Sequence, residues 1–201
     1  MDFIETETAL EALYGTPVEA STVKVAHQMT PLYRQWIEAS RFCVLTTVGP
    51  DGTDASPRGD TDPVVRELDP QTLAMPDWRG NDRLDSLRNI VLDGRVSLMF
   101  MISGSNTVIR LNGTAKLTQD EALRSDFARD GRLPRTVVVI SIGEIYFQCA
   151  RALLRSELWT AGDQSEGLPT AGDILREMTQ NTFDGATYDA NWPARAQKTM
   201  W

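Results

Sequence analysis

Apolar residues recur along this chain with two different periods, and the switches between them mark out its elements. Ile4, Leu10, Leu13 and Tyr14 share one side of a short helix predicted within residues 1–15, whereas 16–30 carries no period and reads as a loop. Thr30-Pro31 joins an N-cap residue to a proline at the first turn. Leu32, Trp36 and Ile37 then follow at helical spacing to about Ser40. From Phe42 the pattern turns strand-like: residues 42–48 predict a strand, Gly49-Pro50-Asp51-Gly52 a turn, and 53–58 the returning strand of a hairpin. A second pair is expected at 64–68 and 72–75, around Asp69-Pro70. Leu84, Leu87, Ile90 and Val91 fall on one face of a helix over 82–92, closed by Asp93-Gly94. Residues 96–102 and 107–117 predict two strands across a turn at 103–106. Thr118-Gln119-Asp120-Glu121 has the form of a capping box, opening a helix to about Arg129. Two more strands are expected at 136–142 and 144–149. Residues 150–159 fit helix or loop, 171–180 predict a helix, and the tail from Thr182 reads as irregular.

Six to eight strands, mostly joined by hairpin turns with helices between them, predict a mainly β fold. The order argues for an antiparallel barrel with peripheral helices and against repeated βαβ units. No strand is followed by Gly-x-Gly-x-x-Gly, and no phosphate-binding P-loop or internal repeat is present. The expected division is an N-terminal helical extension at 1–30, the barrel at 31–160, and a C-terminal helix and tail at 161–201 that packs on the barrel or on a partner subunit.

Charge narrows the function. The chain of 201 residues has a formal net charge of -8, which argues against a nucleic-acid partner because phosphate backbones demand a basic face. No run of roughly 18 apolar residues predicts a membrane span, and the acidic N-terminus lacks the basic start of a signal peptide, so a cytoplasmic location is expected. Basic residues are chosen unevenly: only Lys24, Lys116 and Lys198 are lysines, the rest arginines, whose planar fork suits bidentate phosphate contacts. Cys43 and Cys149 stand alone and His27 is the single histidine, so neither a metal site nor a Ser-His-Asp triad is expected. Chemistry here would need an imported cofactor.

Three segments stand in a telling order. The first is Ala55-Ser56-Pro57-Arg58-Gly59-Asp60, after the hairpin that begins Val44-Leu45-Thr46-Thr47. The second runs from Met75-Pro76-Asp77-Trp78-Arg79-Gly80-Asn81-Asp82-Arg83 through Leu84-Asp85-Ser86-Leu87-Arg88-Asn89-Ile90 to Thr107-Val108-Ile109-Arg110-Leu111-Asn112-Gly113. The third is Phe147-Gln148-Cys149-Ala150-Arg151-Ala152-Leu153-Leu154-Arg155-Ser156-Glu157-Leu158-Trp159. From about residue 30 onward the chain resembles the pyridoxamine 5'-phosphate oxidase-like, FMN-binding split β-barrel superfamily. The resemblance implies a homodimer with FMN in the cleft between subunits, and an oxidoreductase acting on a small molecule, with NADH or NADPH as a candidate reductant. The deazaflavin F420 is the alternative cofactor, and the lack of a ligand histidine argues against haem.

By position, the resemblance puts Ser56, Arg58, Gly59 and Asp60 near the flavin and its ribityl chain. Met75, Pro76 and Asp77 would lie along the ring, and Asn81, Arg83 and Ser86 would hold the phosphate. Thr107 and Arg110 belong to a second flavin strand, and Arg155 and Trp159 would reach the cofactor from the partner. Independently, a flavin phosphate is best met by a helix N-terminus with an arginine, and the segment 79–83 supplies both. The competing readings are a solvated helix face around Arg83, an edge-strand Arg58 paired with Asp60 or Asp62, and an outward Arg110. One departure is plain: family members that oxidise vitamin B6 carry an Arg-x-His pair near the C-terminus, and residues 152–159 contain no histidine. Vitamin B6 oxidation is therefore not expected, and a flavin-binding or redox-sensing protein without turnover is the alternative to an enzyme.

Overall fold

The alternating segments become seven strands in a computed structural model that describes residues 1–201. They are β1 (Phe42–Gly49), β2 (Gly52–Gly59), β3 (Arg66–Asp69), β4 (Thr72–Asp77), β5 (Arg95–Met101), β6 (Val108–Thr118) and β7 (Thr136–Gln148). Every pairing is antiparallel, in the order β2-β1-β5-β6-β7-β4-β3. The sheet curls until β2 and β4, which are not neighbours in it, face each other across a seam. There Arg58 Nη1 donates to Asp77 Oδ1 over 2.6 Å and Trp78 Nε1 donates to Asp60 Oδ2 over 3.1 Å. The result is a split barrel, its strands joined in order by backbone pairing and its seam spanned by side chains.

Alternation explains why the sheet curls this way. Cys43, Leu45 and Thr47 of β1 are fully buried, and Leu98, Phe100, Leu111, Ile140 and Ile145 fill the same interior. Burying aliphatic side chains of this size stabilises the fold by roughly 1.5–3 kcal/mol each, against the entropy of ordering them. The two strands expected at 136–142 and 144–149 are one, β7. Gly143 is its extra residue, where the pairing slips from Asn112↔Glu144 to Gly113↔Ile142. A Cβ at Gly113 would overlap the carbonyl oxygen of Ser141, so only glycine allows the two strands to run on through the bulge.

Eight helices surround the barrel: α1 (Glu7–Glu11), α2 (Glu19–Thr22), α3 (Pro31–Ala39), α4 (Asp85–Leu92), α5 (Glu121–Ser125), α6 (Arg151–Arg155), α7 (Ala171–Met178) and α8 (Gly185–Thr199). The start of α3 is the expected one, with the Thr30 side chain accepting from Tyr33 N. Four expectations need correction. The loop expected over 16–30 contains the one-turn helix α2. The cap of α5 is Asp120, accepting from Leu123 N; Thr118 still belongs to β6. That helix ends at Ser125, well before Arg129, because Phe127 turns inward to pack with Ala74 and Val137. The tail is not irregular: α8 spans fifteen residues, capped by Asp184 accepting from Thr187 N, with Pro193 inside it. A mid-run proline ordinarily signals a helix end, which disguised this one. The fold holds α8 by an intimate contact with α7. Gly172 and Gly185 approach so closely that a Cβ on either would overlap the other's backbone. The Asp189 carboxylate accepts from Gly172 N at 2.9 Å and Thr170 Oγ1 at 2.5 Å. No helix is long and apolar enough to cross a membrane.

Candidate functional site

The seam between β2 and β4 opens into a cleft of about 2000 Å³, walled by β2, the end of β4, the loop to α4, α4 itself and the far side of α8. The period of two along β2 aims Asp54, Ser56 and Arg58 the same way; all three are half-buried while Thr53, Ala55 and Pro57 are exposed. Each end of that row is tied across the cleft. Asp54 accepts a hydrogen bond from Ser86 Oγ of α4, and Arg58 donates to Asp77 of β4. Arg58 and Asp77 have side chains only 19% and 13% exposed. The pair is therefore partly desolvated, and its geometry matters more than that of a surface ion pair.

Two buried polar atoms on this cleft have no hydrogen-bond partner, Arg58 Nε and Thr136 Oγ1. An unsatisfied buried donor costs about 1–3 kcal/mol. A polar ligand entering the cleft would relieve that cost, and buried polar groups elsewhere in the barrel are paired. The approach to α4 is a second unpaid element. Asp82 and Leu84 have φ of 60° and 65° although neither is glycine, and Leu84 caps α4 with no side-chain hydrogen bond. Such left-handed residues cost on the order of 1–3 kcal/mol each and gather where a backbone must present amides to a ligand. The first-turn amides of α4 are thus left for an anion, partly countered by Asp85 at the first helical position. Six arginines and five aspartates line the cleft. In a chain of net charge -8 the lining of this cleft is thus close to charge balance.

Ten of the fourteen residues singled out from sequence border this one space: Ser56, Arg58, Gly59, Asp60, Met75, Pro76, Asp77, Asn81, Arg83 and Ser86. Their roles differ from expectation in places. Arg83 does not lie on α4 but in the loop before it, 79% exposed at its side chain and paired with Asp85. Ser86 is not free to face a ligand: it is 5% exposed, and its hydroxyl is spent on Asp54. Leu84 was expected on the apolar face of this helix, but α4 begins at Asp85, and it is Ser86 and Ile90 that are buried while Leu84 is exposed. Met75 sits in the barrel core at 1% exposure and meets the cleft only at its floor. Asp60 is a clamp on the seam, accepting from Trp78 Nε1, Asp62 N and Arg129 Nη2. Arg58 pairs with Asp77 rather than with Asp60 or Asp62.

Thr107, Arg110, Arg155 and Trp159 lie elsewhere. Arg110 points outward on β6, half-exposed, with its guanidinium 5.3 Å from the ring centre of Tyr146 and no carboxylate partner. Trp159 Nε1 donates to Ser105 O at 2.8 Å, beside Thr107, and Arg155 closes α6, exposed. Lys24 sits over the rings of Tyr146 and Phe147 on the same face as Arg110. Sequence reasoning missed Asp54, and it missed the wall contributed by α8 and the residues after it. Tyr188, Trp192 and Arg195 are spaced i, i+4, i+7, a pattern visible in the sequence once a helix through Pro193 is allowed.

A family model for pyridoxamine 5'-phosphate oxidase matches residues 29–149, more than half of the chain. The chain belongs to the pyridoxamine 5'-phosphate oxidase family. Among solved structures, HupZ of Group A Streptococcus superposes with a TM-score of 0.50 at 18% identity, covering 60% of this chain and 94% of that one. A Lactobacillus delbrueckii protein assigned as a pyridoxamine 5'-phosphate oxidase gives 0.48 at 22% identity, covering 60% and 95%. An FMN-binding protein of Syntrophomonas wolfei gives 0.42 at 16% identity, covering 58% and 88%. No protein of curated function matches the sequence. The family match takes in β1 to β7 and therefore the β2, β4 and α4 walls of the cleft. It ends before α6, α7 and α8, so the α8 wall lies outside the matched residues.

Proposed function

We propose that this protein is an FMN-dependent oxidoreductase that binds the cofactor in the seam cleft and acts on a small substrate. The observation that carries the reading is the pairing of an orphaned buried Arg58 Nε with the uncapped, left-handed entry to α4 in one cleft. Both offer donors to a polar occupant, and FMN, with its phosphate, ribityl and ring carbonyl groups, is one. Of the residues present, Asn81 and Arg83 with the α4 amides would take the phosphate. Arg58 would donate to the polar edge of the ring system, with Asp77 holding its guanidinium in place. FMN bound there would supply the two-electron chemistry that no side chain of the cleft offers. The chain's own part is binding and orientation by these β2, β4 and α4 residues, over a floor that includes Met75. The deazaflavin F420 meets the same donors and is the alternative, as is a flavin-holding protein without turnover. Vitamin B6 oxidation is not part of the proposal, because residues 152–159 lack the histidine of the substrate pair.

Thr107, Arg110, Arg155 and Trp159, which lie away from this subunit's cleft, fit the same proposal in a homodimer, where they would reach the partner's cleft. An unpaired Arg110 on a strand face has its charge free for such a role.

The test is a visible spectrum of the purified protein with an FMN titration, followed by NADH or NADPH under anaerobic conditions. Saturable FMN binding and bleaching by either reductant are expected. A protein that gains no flavin signal refutes the cofactor, and one that binds FMN but resists every reductant refutes turnover. Arg83→Ala should weaken FMN binding about tenfold, the worth of one charge-assisted contact, with little change in fold. Sedimentation should report a dimer.

A further inference from the structure

The wall of the cleft that lies outside the matched residues has a chemistry of its own. Tyr188, Trp192 and Arg195 project from one face of α8 at successive turns and all border the cleft. Tyr188 and Trp192 stack with ring centres 6.2 Å apart at 22°, and the Arg195 guanidinium lies 4.6 Å from the first ring and 4.9 Å from the second. Trp192 is 52% exposed, so an indole ring is turned to solvent at the cleft wall where burial would ordinarily be favoured. Arg195 has no carboxylate partner, although the chain has an excess of acidic residues to offer it. The acidic residue of α8 that could compete, Asp189, is already engaged by Thr170 and Gly172.

Around the corner Trp201 stands edge-on to Trp78 at 5.3 Å, and the Arg129 guanidinium lies 4.4 Å from the Trp201 ring. Arg132 Nη1 donates to Trp201 O at 3.0 Å, which ties the segment after α8 down to the barrel. The wall is therefore fixed at both ends: by the Gly172–Gly185 contact at the start of α8 and by the Trp201 cluster beyond its end. A preorganised aromatic face with an uncompensated cation favours a planar ring that carries a negative charge.

We infer that the α8 face of Tyr188, Trp192 and Arg195 recognises the second ligand of the cleft, a planar aromatic carboxylate. It rests on the reading of the cleft as a cofactor site, since it names the class of substrate that would lie beside the cofactor. The ring stacks on Trp192, and the anionic group pairs with Arg195. Helix α8 lies outside residues 29–149, the part of the chain that the family model matches.

The experiment uses the full chain and two isosteric probes, 2-naphthoate and the neutral 2-naphthamide, followed by their own fluorescence, with FMN titrated into the same preparations. The expected result is tighter binding of 2-naphthoate by about two- to fivefold, the worth of one partly exposed ion pair. Arg195→Gln should remove that preference and leave 2-naphthamide unchanged. Trp192→Ala should weaken both probes about tenfold, and Trp192→Phe should restore most of the loss, which separates stacking from damage to α8. FMN affinity should not change in these variants. Equal binding of the two probes, or a preference that survives Arg195→Gln, overturns the inference. So does a loss of FMN affinity in Trp192→Ala and Arg195→Gln with probe binding intact, which would make α8 part of the cofactor site. If wild-type protein binds 2-naphthoate with the predicted dependence on Arg195 but takes up no FMN, the cofactor reading fails and the α8 site stands.

Discussion

Removing either partner of the Arg58–Asp77 pair should loosen the seam, and by an amount the structure lets one work out. With side chains 19% and 13% exposed, the two groups are desolvated enough that one left alone is a penalty rather than a neutral loss. Breaking such a pair from one side costs about 3 kcal/mol. A kilocalorie shifts the midpoint of a domain of this size by roughly 2–4 °C, so Arg58→Met or Asp77→Asn should each lower it by about 6–12 °C. The double variant Arg58→Met/Asp77→Leu leaves no unpaired charge and should lose about 1 kcal/mol or less, well short of the two single losses added together. The assay is thermal unfolding of FMN-free protein followed by tryptophan fluorescence; bound ligand would add its own stabilisation and obscure the difference. The same variants should part company in cofactor binding. Arg58→Met removes the donor and weakens FMN, whereas Asp77→Asn retains it. Single variants with unshifted midpoints, or a double variant as costly as the sum, would refute the assignment of this pair as the closure of the seam.

Gly113→Ala should destabilise the barrel by about 2 kcal/mol or more, because the new Cβ would overlap Ser141 O and the bulge would have to be rebuilt; thermal unfolding reads this directly. Gly172→Ala should separate α7 from α8 and expose the cleft wall, seen as faster amide exchange confined to 171–201 with the barrel unaffected. The two thiols should differ sharply toward a disulfide reagent. Hydrogen bonding from the Arg151 backbone holds Cys149 below the usual thiol range, and it is exposed, so it should react rapidly at neutral pH and the reaction should vanish in Cys149→Ser. Cys43 is buried and its thiol is pushed up to about 12 by desolvation, so it should react only on unfolding. Its raised value also carries a sign. The folded state keeps a proton that the unfolded thiol gives up above its ordinary value of 9.0, so stability should fall between pH 9 and about 12, and Cys43→Ala should flatten that decline.

The strands, the family and most of the cleft floor were legible in the chain, each for a local reason. Alternation is a two-residue signal, so β1, β2, β5 and β6 could be read from Cys43, Leu45, Leu98 and Leu111 without knowing their partners. The Ser56-to-Asp60 and Met75-to-Ser86 segments likewise carry their chemistry in consecutive residues. What only the tertiary structure decided depends on contacts between residues far apart in sequence. Nothing local says that the sheet curls until Arg58 meets Asp77 rather than Asp60, or that Ser86 is spent on Asp54. The bulge that makes β7 one strand is a property of two strands together, since Gly143 is extra only against Gly113. Helix α8 was hidden by Pro193 and revealed by packing, because the Gly172–Gly185 contact and the Asp189 hydrogen bonds hold a helix that its own sequence argues against. The α8 wall, and with it Trp192 and Arg195 on the cleft, therefore belongs to the fold, while the arginine and amides that await an anion belong to the sequence.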